Sequence, residues 1–97
     1  MQDVESLKQV LSLHKAELQR RFKVKTIGLF GSYIRREQNK RSDVDILVEF
    51  DQPVGLFEFI DLEMYLTGLL GTKVDLVSKK ALKPHIGKRI LEEVIMV

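Results

Sequence analysis

Residues 31–45 read GSYIRREQNKRSDVD, and the chain continues into VDILVEF at residues 44–50. Val44, Ile46, Val48 and Phe50 alternate with Asp45, Leu47 and Glu49. That two-residue period predicts a strand with one face in a core. It puts Asp43 and Asp45 on the same side, with Cα atoms ~6.5–7 Å apart from the strand rise. Val44 and Ile46 then face the core, while two carboxylates can converge on a shared cation. Upstream, KTIGLF (residues 25–30) is short, apolar and partly β-branched, and predicts a strand ended by Gly31-Ser32. Ser32 is placed to cap a short helix running through Arg36, with Glu37 near its first turns and polar loop from there to Arg41.

Downstream, Asp51-Gln52-Pro53-Val54-Gly55 predicts a turn. Leu56 to Leu70 predicts a helix, with apolar positions at Leu56, Phe59, Ile60, Met64, Leu66 and Leu70. Gly71 follows as a left-handed C-terminal cap. KVDLV (residues 73–77) predicts a third strand in which Val74 and Leu76 face one way and Asp75 the other. From Lys79 the pattern is helical, restarted at Pro84, with Ile86, Ile90, Leu91, Val94 and Ile95 as its apolar face. At the other end, Val4, Leu7, Val10, Leu11, Leu18 and Phe22 predict one helix with a single buried stripe, and Asp3 as its N-cap. His14 sits on that stripe and reads as a partly buried core histidine rather than a ligand. The alternation of helix and strand predicts an α/β (α+β) domain. We expect a small mixed sheet of at least three strands flanked by about four helices.

If the third strand pairs with VDILVEF, Asp43, Asp45 and Asp75 line one patch. Mg²⁺ takes oxygen ligands and keeps waters and substrate phosphates in its shell. Three carboxylates suit two such ions ~3.5–4 Å apart, the spacing used for in-line phosphoryl or nucleotidyl transfer. Gly31 lets a phosphate approach the backbone, Ser32 adds a hydroxyl and a helix start, and Arg35 lies one helical turn on, aimed at the same phosphates. Each feature alone has an ordinary explanation. A Gly-Ser pair is usually a turn and cap, an Asp-x-Asp is usually surface charge, and a lone strand Asp is usually solvated. Their co-occurrence in this order is what points to nucleotide chemistry.

The pattern resembles the GS-x10-D-x-D signature of the DNA polymerase beta-like nucleotidyltransferase superfamily. More closely, LFGSYIRRE, SDVDILVEF, KVDLV and the LKPHIGKRILEEVI tail resemble the minimal nucleotidyltransferases (MNT proteins) from about Ile27 onward. The resemblance implies that Gly31 and Ser32 contact nucleotide phosphates and that Asp43, Asp45 and Asp75 hold Mg²⁺, with Asp75 as general base. It also implies ATP as nucleotide donor and a HEPN-type toxin as partner, with AMP transferred to a tyrosine of that toxin. One departure is Arg36, where the family often has Gly; it alters phosphate contacts without removing a metal ligand.

Composition bounds the alternatives. The 97 residues make one domain, residues 1–97, with room for one core. The absence of cysteine excludes disulfides, thiolate zinc sites and a cysteine nucleophile. Apolar content of 44% and charged content of 31% fit a globular domain. No apolar run approaches the ~20 residues of a membrane span, and MQDVESLKQV lacks a signal pattern, so a cytoplasmic protein is the simplest expectation. The net charge of +2 does not diagnose nucleic-acid binding. The run Arg20, Arg21, Lys23 and Lys25 reads as solvated surface; the run Arg35, Arg36, Lys40 and Arg41 lies inside the motif. No recognition-helix motif accompanies either, so nucleic acid is not the expected partner.

So short a chain leaves no room for a separate acceptor-binding domain, so the acceptor is expected to come with a partner. The apolar helices Leu56–Leu70 and Ile86–Val97 are the candidate docking faces. The alternative reading is a non-catalytic antitoxin that neutralises its toxin by complex formation; the intact carboxylates count against it. Exposed strand edges leave a homo-oligomer open. His85 reads as a surface or capping residue rather than a phosphate contact.

Overall fold

The chain begins with two helices where the apolar spacing predicts one. The computed structural model describes residues 3–35 and 43–97; Arg36, Glu37, Lys40 and Arg41 lie outside the described residues. Helix α1 (Val4–Leu13) is capped by Asp3, whose Oδ1 accepts from the Ser6 N–H at 2.9 Å. Helix α2 (Lys15–Phe22) follows after a break at His14. The break has a local cause. The His14 N–H is shared between the Val10 and Leu11 carbonyls, and the ring Nδ1 lies 2.9 Å from Val10 O. A ring that pairs with its own helix competes with the i→i−4 ladder. His14 is half-buried and spent on its own backbone, as a structural histidine.

Strand β1 (Val24–Phe30) lies between β2 (Val44–Phe50) and β4 (Ile95–Met96), and β3 (Val74–Ser78) lies outside β2, giving the order β3-β2-β1-β4. β1 runs antiparallel to both neighbours, while β2 and β3 are parallel. A parallel pair needs a long crossover, supplied by helix α3 (Leu56–Leu70). The fourth strand was not predicted. Ile95 and Met96 continue the apolar period of the preceding helix in sequence, yet helix α4 (Pro84–Glu93) ends at Glu93 and the chain turns extended. What favours the strand is β1: a Cβ on Gly28 would lie 2.7 Å from Val94 Cγ2 and 2.8 Å from Met96 Sδ. The bare backbone of Gly28 lets the tail lie flat against it. The expected apolar helical face Ile86–Val97 is therefore shortened to α4, with Ile86 and Leu91 exposed on it.

The core lies on one face of the sheet. Leu7 and Leu11 of α1, Leu18 of α2 and Leu62, Leu66 and Leu70 of α3 pack against Ile27, Leu29, Val44, Ile46, Val48, Val74 and Leu76. Burying such a side chain contributes ≈ 1.5–3 kcal/mol. Val24 and Ile27 both point inward although three residues apart, because a register shift between Val24 and Thr26 bulges the strand. Gly71 takes φ 71° at the end of α3, as its sequence position predicts.

Two details bear on surfaces. On the outer edge of β3, the Val74 and Leu76 N–H groups donate to Thr67 Oγ1 (3.1 Å) and Glu63 Oε2 (2.9 Å) of α3. That edge is closed by side chains, and β4 is too short to offer much of another. In the first basic run, Arg21 is bound into a cluster: it pairs with Glu17 at 3.0 Å and lies 5.0 Å from the ring centroids of Phe22 and Tyr65. By contrast, Leu56, Phe57, Ile60 and Met64 of α3 are exposed. Among the described residues no helix is long and apolar enough to cross a membrane.

Candidate active site

The sheet topology brings the predicted acids together at the start of two parallel strands. Asp45 and Asp75 are each the second residue of their strand and stand opposite one another in the β2–β3 register. The alternation that sends Val44, Ile46, Val74 and Leu76 to the core sends both carboxylates to the other face. Asp43, just ahead of β2, is held at its edge by Lys73, with Nζ 3.8 Å from Oδ2. Its charge still reaches Asp45, although among the described residues no three carboxylates or histidines form a preassembled ligand set.

Asp45 is the pivot. Burial pushes its carboxyl up to about 6, the charges of Asp75 and Asp43 and a side-chain hydrogen bond with Asp75 push the same way, and Arg35 offsets part of this. Two neighbouring carboxylates that share a proton lack a positive charge between them. That fits a divalent cation with oxygen ligands: Asp45 and Asp75 would hold it, and Asp43 would join on leaving Lys73.

Gly31 explains where Asp45 sits. It has φ +83°, a conformation glycine adopts freely, and a Cβ there would lie 2.8 Å from Asp45 Cγ. The space left by the absent side chain is filled by the Asp45 carboxylate. The sequence argument assigned that space to a phosphate; the structure shows an acid of the same site in it. The helix expected to open at Ser32 is a single 3₁₀ turn, Gly31–Tyr33. Its N-cap is Phe30, without a side-chain cap, so Ser32 lies inside the turn, half-buried, rather than capping it. Tyr33 drops into the core and anchors the turn.

Arg35 follows, its backbone N–H on Gly31 O at 3.1 Å. Its Nη1 donates to both oxygens of Glu93, each at 3.0 Å, and Glu93 Oε1 also accepts from the Gly31 N–H at 3.1 Å. Glu93 is a site residue that sequence reasoning missed; it reads as one more polar position of a helix until β4 is known. Between the turn, β2 and α4 lies a cleft of ≈ 290 Å³ lined by Phe30, Gly31, Arg35, Asp45, Ile86, Arg89, Ile90 and Glu93. It joins the Asp45 carboxylate, two guanidinium groups and an apolar wall, a combination suited to a charged ligand with a flat ring. A more apolar cleft of ≈ 340 Å³ at the far end of the strands is lined by Phe50, Pro53, Val54, Leu56 and Phe59 among others. It contains none of the three acids, so we place the chemistry in the smaller one. His85 is exposed and does not line the cleft; α4 starts on Lys83 and Pro84 without a side-chain cap, so the surface reading stands and the capping one does not.

Known proteins share both sequence and architecture. The nucleotidyltransferase domain family profile matches residues 11–97. The protein adenylyltransferase MntA of Thermococcus cleftensis is 50% identical over 97 residues, covering 100% of this chain and 98% of that one. A solved structure described as a proposed minimal nucleotidyltransferase superposes with TM-score 0.76 at 33% identity, over 97% of this chain and 95% of that one. The structure of a toxin–antitoxin with AMP-PNP contains a chain that superposes with TM-score 0.72 at 26% identity, over 87% of this chain and 69% of that one. The paired strand acids, the Gly-Ser turn and these matches agree: the chain belongs to the nucleotidyltransferase domain family and is a nucleotidyltransferase.

Proposed function

We propose that this enzyme transfers AMP from ATP to a hydroxyl, a tyrosine side chain, of a cognate HEPN-type toxin, and so acts as its antitoxin. The observation that carries the reading is the in-register Asp45–Asp75 pair, with Asp45 nested over Gly31 beside Arg35. A relative named a protein adenylyltransferase and a structural neighbour from a toxin–antitoxin with AMP-PNP support it.

In this reading Arg35, Ser32 and the Gly31 turn receive the triphosphate, and Phe30, Ile86 and Ile90 form the apolar wall. The acceptor oxygen attacks the α-phosphorus in line, the bond to the pyrophosphate oxygen breaks, and Asp75, exposed at the strand start, takes the hydroxyl proton. Protein–OH and ATP give protein–O–AMP and pyrophosphate. Asp43, Asp45 and Asp75 would hold Mg²⁺, two ions in the usual arrangement, which supplies charge neutralisation at the phosphates and a lowered pKa for the attacking hydroxyl. The exposed face of α3, with Phe57, Ile60 and Met64, is the docking surface for the toxin.

The test combines the protein, a candidate HEPN toxin, labelled ATP and Mg²⁺, and reads a mass gain of one or more AMP units on the toxin. Transfer should disappear in Asp43→Ala and Asp45→Ala. Full neutralisation of the toxin by those variants, with no transfer by the native chain, would replace catalysis by binding as the function.

A further inference from the structure

Glu93 stands where the β1–β4 ladder would continue. Gly28 faces Met96 and Leu29 faces Ile95, so the same antiparallel register puts Glu93 opposite Gly31. The chain is still helical there and offers no strand carbonyl. The Glu93 side chain supplies the acceptor instead, taking the Gly31 N–H at 3.1 Å. The same carboxylate grips Arg35 through Nη1 at both oxygens. Its own place is set by the tail behind it. Val94 N–H donates to Ile90 O and Val97 N–H to Ile27 O, both at 2.9 Å, and Lys15 Nζ donates to Val97 O at 2.9 Å.

We propose that Glu93 is a positioning residue for nucleotidyl transfer, holding the Gly31 turn and the Arg35 guanidinium in the orientation that receives the triphosphate. This rests on the nucleotidyltransferase reading above. The Gly31 N–H points along the sheet toward β4, so the carboxylate that accepts it completes the ladder rather than standing in front of the Asp45 face. An arginine has many rotamers, and immobilising such a side chain at the moment of binding weakens the complex. A carboxylate fixed by the fold removes that loss in advance, and a guanidinium with five N–H donors is not exhausted by one partner's grip on Nη1.

The experiment measures AMP-PNP affinity with Mg²⁺ by calorimetry, and kcat and KM for ATP, in four proteins: native, Glu93→Ala, Arg35→Ala and the double variant. Glu93→Ala should weaken AMP-PNP binding and raise KM roughly three- to tenfold, with kcat changed by less than about twofold. The double variant should bind no more weakly than Arg35→Ala alone, because Glu93 acts through Arg35. Glu93→Gln, which keeps an acceptor for the Gly31 N–H, should recover part of the loss, and it replaces Glu93→Ala in the comparison if the alanine variant does not fold. Tighter binding by Glu93→Ala would overturn the proposal and make the carboxylate a competitor of phosphate. Unchanged affinity with a lowered Tm, or losses that multiply in the double variant, would overturn it as well. A native chain that binds no AMP-PNP removes the nucleotidyltransferase reading and this proposal together. Native binding that the Glu93 variants share in full removes only the proposal.

Discussion

Replacing Asp45 by Asn should stabilise the metal-free protein at neutral pH, although it destroys the site. Asp45 has its carboxyl pushed from 3.8 up to about 6, by burial first and then by Asp75 and Asp43. A group raised on folding contributes its stability below the unfolded value and loses it as pH rises through the folded one. The native chain should therefore lose stability between about pH 4 and pH 6 relative to Asp45→Asn. The full shift corresponds to about 3 kcal/mol. More than half of Asp45 is open to solvent, so screening reduces this to about 1 kcal/mol. For a domain of this size that is a Tm difference of roughly 4–8 °C. The assay is thermal unfolding of both proteins in EDTA across pH 4–8, repeated with Mg²⁺ at pH 7. Asp45→Asn should unfold higher in EDTA at pH 7, the gap should close toward pH 4, and Mg²⁺ should raise only the native Tm appreciably. A variant less stable than native at pH 7 in EDTA, or a gap independent of pH, would refute the claim that charge crowding at Asp45 is relieved by a cation.

Three further outcomes follow from the packing. Gly31→Ala should lower stability by about 1–3 kcal/mol, because φ +83° is unfavourable for a side chain and the new methyl meets the Asp45 carboxylate; denaturant titration measures the loss, and AMP transfer should fall with it. Leu66→Ala should cost about 2–5 kcal/mol by the same titration, since Leu66 is 0% exposed at the centre of the α3 contact with the sheet. Phe57→Glu with Met64→Glu should abolish co-elution with the toxin while leaving Tm within a few degrees, because both side chains lie largely in solvent.

Much of this arrangement was legible in the chain. VDILVEF alternates without a fault, so β2 and the facing of Asp45 follow from parity alone. Leu56–Leu70 is long, periodic and closed by Gly71, and the helix has those bounds. Asp75 could be placed because one acid between two β-branched or aliphatic residues has only one way to face. What was not legible depends on partners distant in sequence. A two-residue strand has no period of its own, so β4 was hidden in the apolar rhythm of α4 and Glu93 was hidden with it. The break at His14 comes from a ring bonding to a carbonyl four residues back, which spacing does not record. Ser32 was read as a cap because serine at a strand end usually is one; Phe30 holds that position because the turn starts on Gly31.

The two halves of the site reach very different distances along the chain. Asp45 and Asp75 belong to one β2–α3–β3 unit, whose contacts close over a short stretch of sequence. The Gly31–Glu93 bond spans 62 residues and the Arg35–Glu93 bond 58. Loop closure makes such distant contacts late to form and early to open. The acid half therefore belongs to the slow-exchanging part of the molecule, and the anion-holding half to a tail that frays before the rest unfolds. A bound triphosphate would couple them, so that hydrogen exchange in the last turn of α4 and in β4 reports occupancy of a site several strands away from the chain end.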